Sequence, residues 1–485
     1  AFKIVDHSDT SNYLQIRDNL IVLNEELGQY QKAAKLYDDW NTINNKTRAL
    51  SSEGLYAAAA IYGREALALC EQVFGKNHKN YGFSLSNLAF ALEMSGDYTS
   101  ALPVCKAALD HNLDYYGEEN INYIIQLSNL GVLYGKLGRY KDALAQYQKA
   151  VALTEKHFGK NNEDYSIFLN NLASVYESLG FYDKALPLFI EALELTEKNE
   201  GKDHENYSYR LHNLAYLYKV MGWYEESLPL YIQGIEATAK VYGQDHPLYA
   251  IRLSSLASLH QTMGDYEKAY ELHAEALQLA EESLGRSHAE TVVLINNLAG
   301  WYDDLGRYEE ALELYKEVLE IADAGLGREH ASYGTYLNNL ASVYEKQHNY
   351  NEALKLYAEA LEITEKTLGK QHEEYSIALN NLANLYHTLG RFEDARATFH
   401  QAVEITRSNL GEDHPSFAMR LSNLAMAYQS LGFYTEALAY YKQALAVTEK
   451  TLGTDHEEYG IRLNNLASLY NMMGENELAA NTFIE

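Results

Sequence analysis

Residues 165–206 read YSIFLNNLASVYESLGFYDKALPLFIEALELTEKNEGKDHEN. Leu169, Leu172, Tyr176 and Leu179 follow one another at three, four and three residues, which places them on one face of a helix. Ala173, beside Leu172, leaves room for another helix to come close. Gly180 stops this first helix, because glycine accepts the positive φ of a C-terminal cap. Tyr182, Ala185, Phe189, Ala192, Leu193 and Thr196 then mark a second helix at the same kind of spacing. Gly201 ends it, and Gly201-Lys202-Asp203-His204 turns the chain back. Two copies of that turn contain Asp-His-Pro, at 245–247 and 413–415, and proline is tolerated in the first turn of a helix. No alternation typical of a strand occurs.

The unit recurs without a break. Glycine returns every 42 residues from Gly75 to Gly453, and leucine does so in step from Leu88 to Leu466. A period of this size means a stack of supersecondary units, each covering its neighbour's apolar face. The 485 residues therefore form one elongated array rather than several globular domains. Such an array works through its extended surface.

Composition narrows the function. Hydrophobic residues make up 47%, enough for a continuous core, and the net charge of -29 argues against duplex nucleic acid and anionic membranes. No apolar run approaches a membrane span, and Ala1 opens no signal peptide. Cys70 and Cys105 lack metal-type spacing and fall in the apolar pattern of second helices, as buried free thiols do. The Gly-rich phosphate loop, His-Glu-x-x-His and Gly-x-Ser-x-Gly are missing, so no enzyme, cofactor or metal is expected.

Leu-Asn-Asn-Leu-Ala-x-x-Tyr followed by Gly-x-Tyr-x-x-Ala, best formed at Leu169–Tyr176, Leu337–Tyr344, Leu379–Tyr386 and Leu463–Tyr470, resembles the tetratricopeptide repeat. The 42-residue form is similar to the repeats of kinesin light chains and of arrays attached to bacterial STAND and CHAT proteins. The resemblance implies an all-α, right-handed solenoid of roughly 11–12 helix-turn-helix repeats. An atypical helix pair is expected in 1–40 and a continuous array in 41–485, with the last unit truncated. Asn41–Ser52 reads as a degenerate first helix.

The ligand face follows from a second stripe on each first helix, at −5, −2, +2 and +5 from the recurring leucine. In the family this stripe looks into a concave groove. Asn170, Asn296, Asn338, Asn380 and Asn464 stand at −2, and Asn171, Asn213, Asn297, Asn339, Asn381, Asn423 and Asn465 at −1. Amides both donate and accept, which suits the backbone of an extended peptide. The resemblance implies the same, since motif asparagines of related repeats contact peptide main chain. Against this, the −1 amides could hold neighbouring units together. Arg210, Arg252, Arg420 and Arg462, at −4, are candidate anion holders at the groove edge, with stem packing and acidic neighbours as the competing reading. The loop histidines, one per layer, read as caps rather than metal ligands. The tyrosines at +4 read as core.

The expected function is a non-enzymatic scaffold binding an extended peptide or protein segment. One alternative is a filament subunit, stacked end to end through Leu478, Phe483 and Ile484. Another is single-stranded nucleic acid along the groove. A cytoplasmic setting is favoured, with an extracellular one for a filament.

Overall fold

The computed structural model describes residues 30–325 and 327–484, with side chains from 35 to 482. Among these residues are 22 helices and no strand. The chain divides into two compact units, Ala1–Lys160 and Asn161–Glu485. Apart from a 23-residue opening helix and a nine-residue last one, helices in both alternate between a first helix of 16 residues and a second of 18 or 19. The first unit opens with α1 (Tyr30–Ser52) and α2 (Tyr56–Phe74). A single helix thus runs across the expected boundary at residues 40 and 41, and most of the expected 1–40 pair lies outside the described residues. Two full pairs follow, α3 (Lys79–Met94) with α4 (Tyr98–Tyr116) and α5 (Ile121–Lys136) with α6 (Tyr140–Phe158). The second unit begins with α7 (Glu163–Ser178) and α8 (Tyr182–Asn199) and ends with α21 (Glu457–Met472) and the short α22 (Asn476–Ile484).

Each helix pair is joined by the same tight turn, and hydrogen bonding explains its regularity. At the end of α7 the amide of Phe181 reaches the Tyr176 carbonyl at 2.8 Å and that of Gly180 reaches Glu177 at 2.9 Å. This is a Schellman closure, which satisfies carbonyls that the helix leaves without partners. It requires a left-handed residue, and Gly180 supplies it at φ 74°. The one repeat without glycine at this place has His348, held at φ 61°. The residue after the turn folds back over the +4 tyrosine. Arg307 lies 4.6 Å above Tyr302, Arg391 4.3 Å above Tyr386, and Trp223 stacks on Tyr218. Tyr134 and Tyr470 are buried, whereas the other six tyrosines of the +4 column are half-buried under these lids.

Small side chains set the helix spacing. Ala173, Ala215, Ala257, Ala299, Ala341, Ala383, Ala425 and Ala467, each just after the recurring leucine, are fully buried. In the second helices alanines such as Ala185, Ala269 and Ala353 are equally buried, with one large ring per layer beside them, as Phe189, Tyr315, Tyr357 and Phe399 show. Cys105 takes that ring position in α4, and Cys70 lies in the same interior; burial pushes both thiols up to about 12. Both cysteines are free and buried.

Two outcomes test this packing. Leu298 is buried with Ala269 and Trp301, so Leu298→Ala should cost about 2–5 kcal/mol. Because repeats couple mainly to nearest neighbours, amide exchange should accelerate first in the layers around residue 298. A uniform rise along the chain would contradict nearest-neighbour coupling. His348→Gly should raise stability by roughly 1 kcal/mol through relief of the left-handed backbone, minus its exposed bond to the Tyr350 hydroxyl. Chemical denaturation of the two proteins measures it.

Candidate functional site

The asparagine columns bond to each other. In the second unit Asn213 Nδ2 donates to Asn170 Oδ1 at 3.0 Å, and Asn297 Nδ2 to Ser254 Oγ at 3.1 Å. Asn339 donates to Asn296 at 3.0 Å and Asn423 to Asn380 at 2.9 Å. Asn87 and Asn44 repeat the arrangement in the first unit at 3.1 Å. In these five rungs the −1 amide reaches the −2 residue of the preceding first helix. A rung of this kind contributes on the order of 0.5–1.5 kcal/mol, and more is lost if a buried partner is stranded. Asn170, Asn338 and Asn380 are buried by the ladder. Asn171, Asn213, Asn296, Asn339, Asn381, Asn423 and Asn465 are half-buried, and Asn297 and Asn464 are exposed. Asn338 Oδ1 is buried without a donor. Sequence reasoning considered bonding between units but missed its partner. A signal existed: where −2 is His212, the next −1 residue is Ser255 instead of asparagine. There His212 meets the edge of Tyr231, and Ser255 turns back to the Ile251 carbonyl at 3.0 Å.

The four arginines, expected at the groove edge, are buried inside the stack. Arg420 lies 3.6 Å from a Glu373 carboxylate oxygen, and Arg462 bonds Glu458 at 2.5 Å. Burial outweighs the attraction of Arg420 and pushes the Glu373 carboxyl up to about 7. Arg210 is lowered to about 10 by burial, with Glu200 acting against the shift. Arg252, also lowered to about 10 by burial, lies 4.8 Å from the Tyr209 ring. Acidic or aromatic groups lie near these arginines, while Nε and Nη2 of Arg210 and Arg252 and Nε of Arg462 are buried without a hydrogen-bond partner.

The loop histidines are helix N-caps. The Nδ1 atoms of His78, His204, His246, His288, His330, His372, His414 and His456 each accept the amide two residues on, at 3.0–3.3 Å. Asn120 and Asn162 do the same with Oδ1. The shared requirement is an acceptor for an otherwise orphaned N–H. An imidazole accepting at Nδ1 carries its proton on Nε2. Among the described residues no group of three or more His, Cys, Asp or Glu is placed to hold a metal, and no helix is long and apolar enough to cross a membrane. Of the expected end contacts, Leu478 is exposed, and the side chains of Phe483 and Ile484 lie outside the described residues.

What remains open on the first helices of the second unit is the −5 column: Ile167, Tyr209, Ile251, Val293, Thr335, Ile377, Met419 and Ile461. Tyr209 is 40% exposed, Val293 47%, Met419 37% and Ile461 47%. Seven of these eight positions are apolar although the side chains face solvent wholly or in part.

Sequence profiles of the tetratricopeptide repeat match residues 41–79, 83–156, 164–222, 209–269, 252–324, 332–416 and 417–485. The chain belongs to the tetratricopeptide-repeat family, whose repeats form scaffolds for protein interaction and are generally not catalytic. No curated protein matches it. Among solved structures it is similar to BtubC (BKLC) from P. vanneervenii, at 26% identity over 48% of this chain and 92% of that one, with a TM-score of 0.40. A putative kinesin light chain with nearly identical TPR-like repeats from Podosopora anserina is 29% identical over 42% of this chain and 98% of that one, with a TM-score of 0.36. A single-substitution form of that protein gives 29%, 42%, 97% and 0.37.

The caps yield a pH dependence. Burial lowers the pKa of His330 below the ordinary value of 6.5, so the native ring stays neutral where the unfolded one takes up a proton. The unfolded chain then binds more protons, and stability from this residue falls as pH drops below about 6.5. His330→Asn keeps the acceptor, as Asn120 and Asn162 do, and removes the titration. The stability of the wild type relative to this variant should therefore decline between pH 7 and pH 5, measured by urea denaturation. A difference that is flat across that range would show that the native ring takes up its proton as readily as the unfolded one.

Proposed function

We propose that the second unit binds an extended peptide segment of a partner protein along its first helices. The exposed apolar −5 column carries this reading. Solvent-facing positions that stay apolar repeat after repeat form a continuous strip, and strips of that kind mark interaction sites. Beside it the amide ladder supplies polar capacity. Each rung uses one donor of a −1 amide and one lone pair of a −2 side chain, and an amide has two of each. The unpaired Oδ1 of Asn338 is one acceptor left over. Apolar side chains of a peptide would lie on the −5 strip while its backbone N–H and C=O groups meet Asn296, Asn338 and Asn380. The net charge of -29 disfavours a nucleic-acid backbone in the same place.

The test uses a random peptide display library selected against the protein. Val293→Asp, Met419→Asp and Ile461→Asp alter exposed side chains, so the triple variant should melt like the wild type. It should lose at least tenfold in affinity for the selected peptides, a change of about 1.4 kcal/mol. Selected peptides that bind this variant unchanged would place the binding surface elsewhere.

A further inference from the structure

Three contacts in the second unit join residues far apart in sequence at nearly one spacing. A Cβ added to Gly180, in the turn between α7 and α8, would lie 2.9 Å from Pro415 Cδ and 3.1 Å from His414 Cδ2. One added to Gly222, in the next such turn, would lie 3.3 Å from His456 Cδ2. Both pairs are 234 residues apart, between five and six repeats. Leu452 packs with the cluster around Leu214, Leu217, Val220 and Met221, at a similar distance along the chain. The stack in this unit therefore coils until one turn of the coil touches the previous one.

The chemistry at His414 is specific. Its Nδ1 accepts the Ser416 amide at 3.0 Å, which leaves Nε2–H as the donor. Burial lowers the His414 pKa to about 4, and the Ser178 backbone at the end of α7 acts in the opposite direction. The neighbouring carbonyls of Val175, Tyr176 and Glu177 are taken by Leu179, Phe181 and Gly180 within the turn.

We propose that these turn-to-turn contacts latch the second unit closed, and that release of the latch opens its groove to a partner. The gating role rests on the peptide-binding reading above; the latch itself does not. Close van der Waals contacts of a few turn side chains hold each rung, so a rung can break without unfolding any repeat. Slight rotations spread over the intervening repeats would lengthen the coil, because each repeat contacts mainly its neighbours.

Spin labels at Asp183→Cys and Glu412→Cys, both exposed positions flanking the first rung, report its state in the full chain. The native thiols are buried and held protonated, and stay unlabelled. The latch is broken by His414→Asn, Pro415→Glu and His456→Asn together. Each replacement already serves at its place elsewhere in this chain: asparagine caps at Asn120 and Asn162, glutamate opens the helix at Glu163, Glu205 and Glu373. Dipolar spectroscopy should give one short, narrow distance in the parent and a longer, broader distribution in the latch variant, with unchanged circular dichroism. Identical distributions in the two proteins would overturn the latch. Library-selected peptides should associate faster with the latch variant. An opened coil with an unchanged association rate would leave the latch standing and overturn the gate.

Discussion

A methyl group against a helix backbone is the constraint on which the structure depends. Ala257 and Ala269 are both fully buried where the two helices of one repeat cross, and the same pair recurs along the second unit. Close-packed interiors tolerate no larger side chain there without moving the helices apart. The large rings occupy one position per layer, Tyr315 or Phe399, and fill the volume that the alanines leave. Shallow spacing within a repeat fixes how near the next repeat can come. The amide ladder depends on that approach, because its rungs close only when successive first helices are within side-chain reach.

Residues that look like ligand contacts in the sequence are here divided between two duties. The −1 and −2 amides of these rungs hold repeats in register and keep only their spare donors and lone pairs for other partners. Arg420 and Arg462 are drawn into ion pairs and Arg252 against the Tyr209 ring, where the cost of desolvating a charge is partly offset. Apolar side chains that take no part in the stack, such as Val293 and Ile461, are left as the open face. The exposed apolar column and the packing amides thus share a helix, three residues apart.

The histidine caps link local and distant structure. Most of them satisfy a single helix N-terminus, a task that Asn120 and Asn162 perform as well. At His414 the ring also lies against the turn at Gly180, 234 residues earlier in the chain. The imidazole Cδ2 lies at that turn, a use at this position that capping alone does not require.

Helix type, repeat length, turn position and the apolar faces were legible in the sequence, since each depends on neighbours within one or two turns of the chain. Gly180 and its equivalents announce a left-handed turn, and the 42-residue comb announces the stack. The tertiary structure decided what the outward-looking columns do. Whether Asn213 meets a ligand or Asn170 depends on the separation and rotation between consecutive first helices, which no periodicity within one helix encodes. The depth of Arg252 follows from how the preceding repeat packs over it. The contact between residues 180 and 414 lies furthest from the sequence's reach. It is the sum of small rotations over more than five repeats, each set by side-chain packing, and a few degrees per repeat decide whether the coil closes.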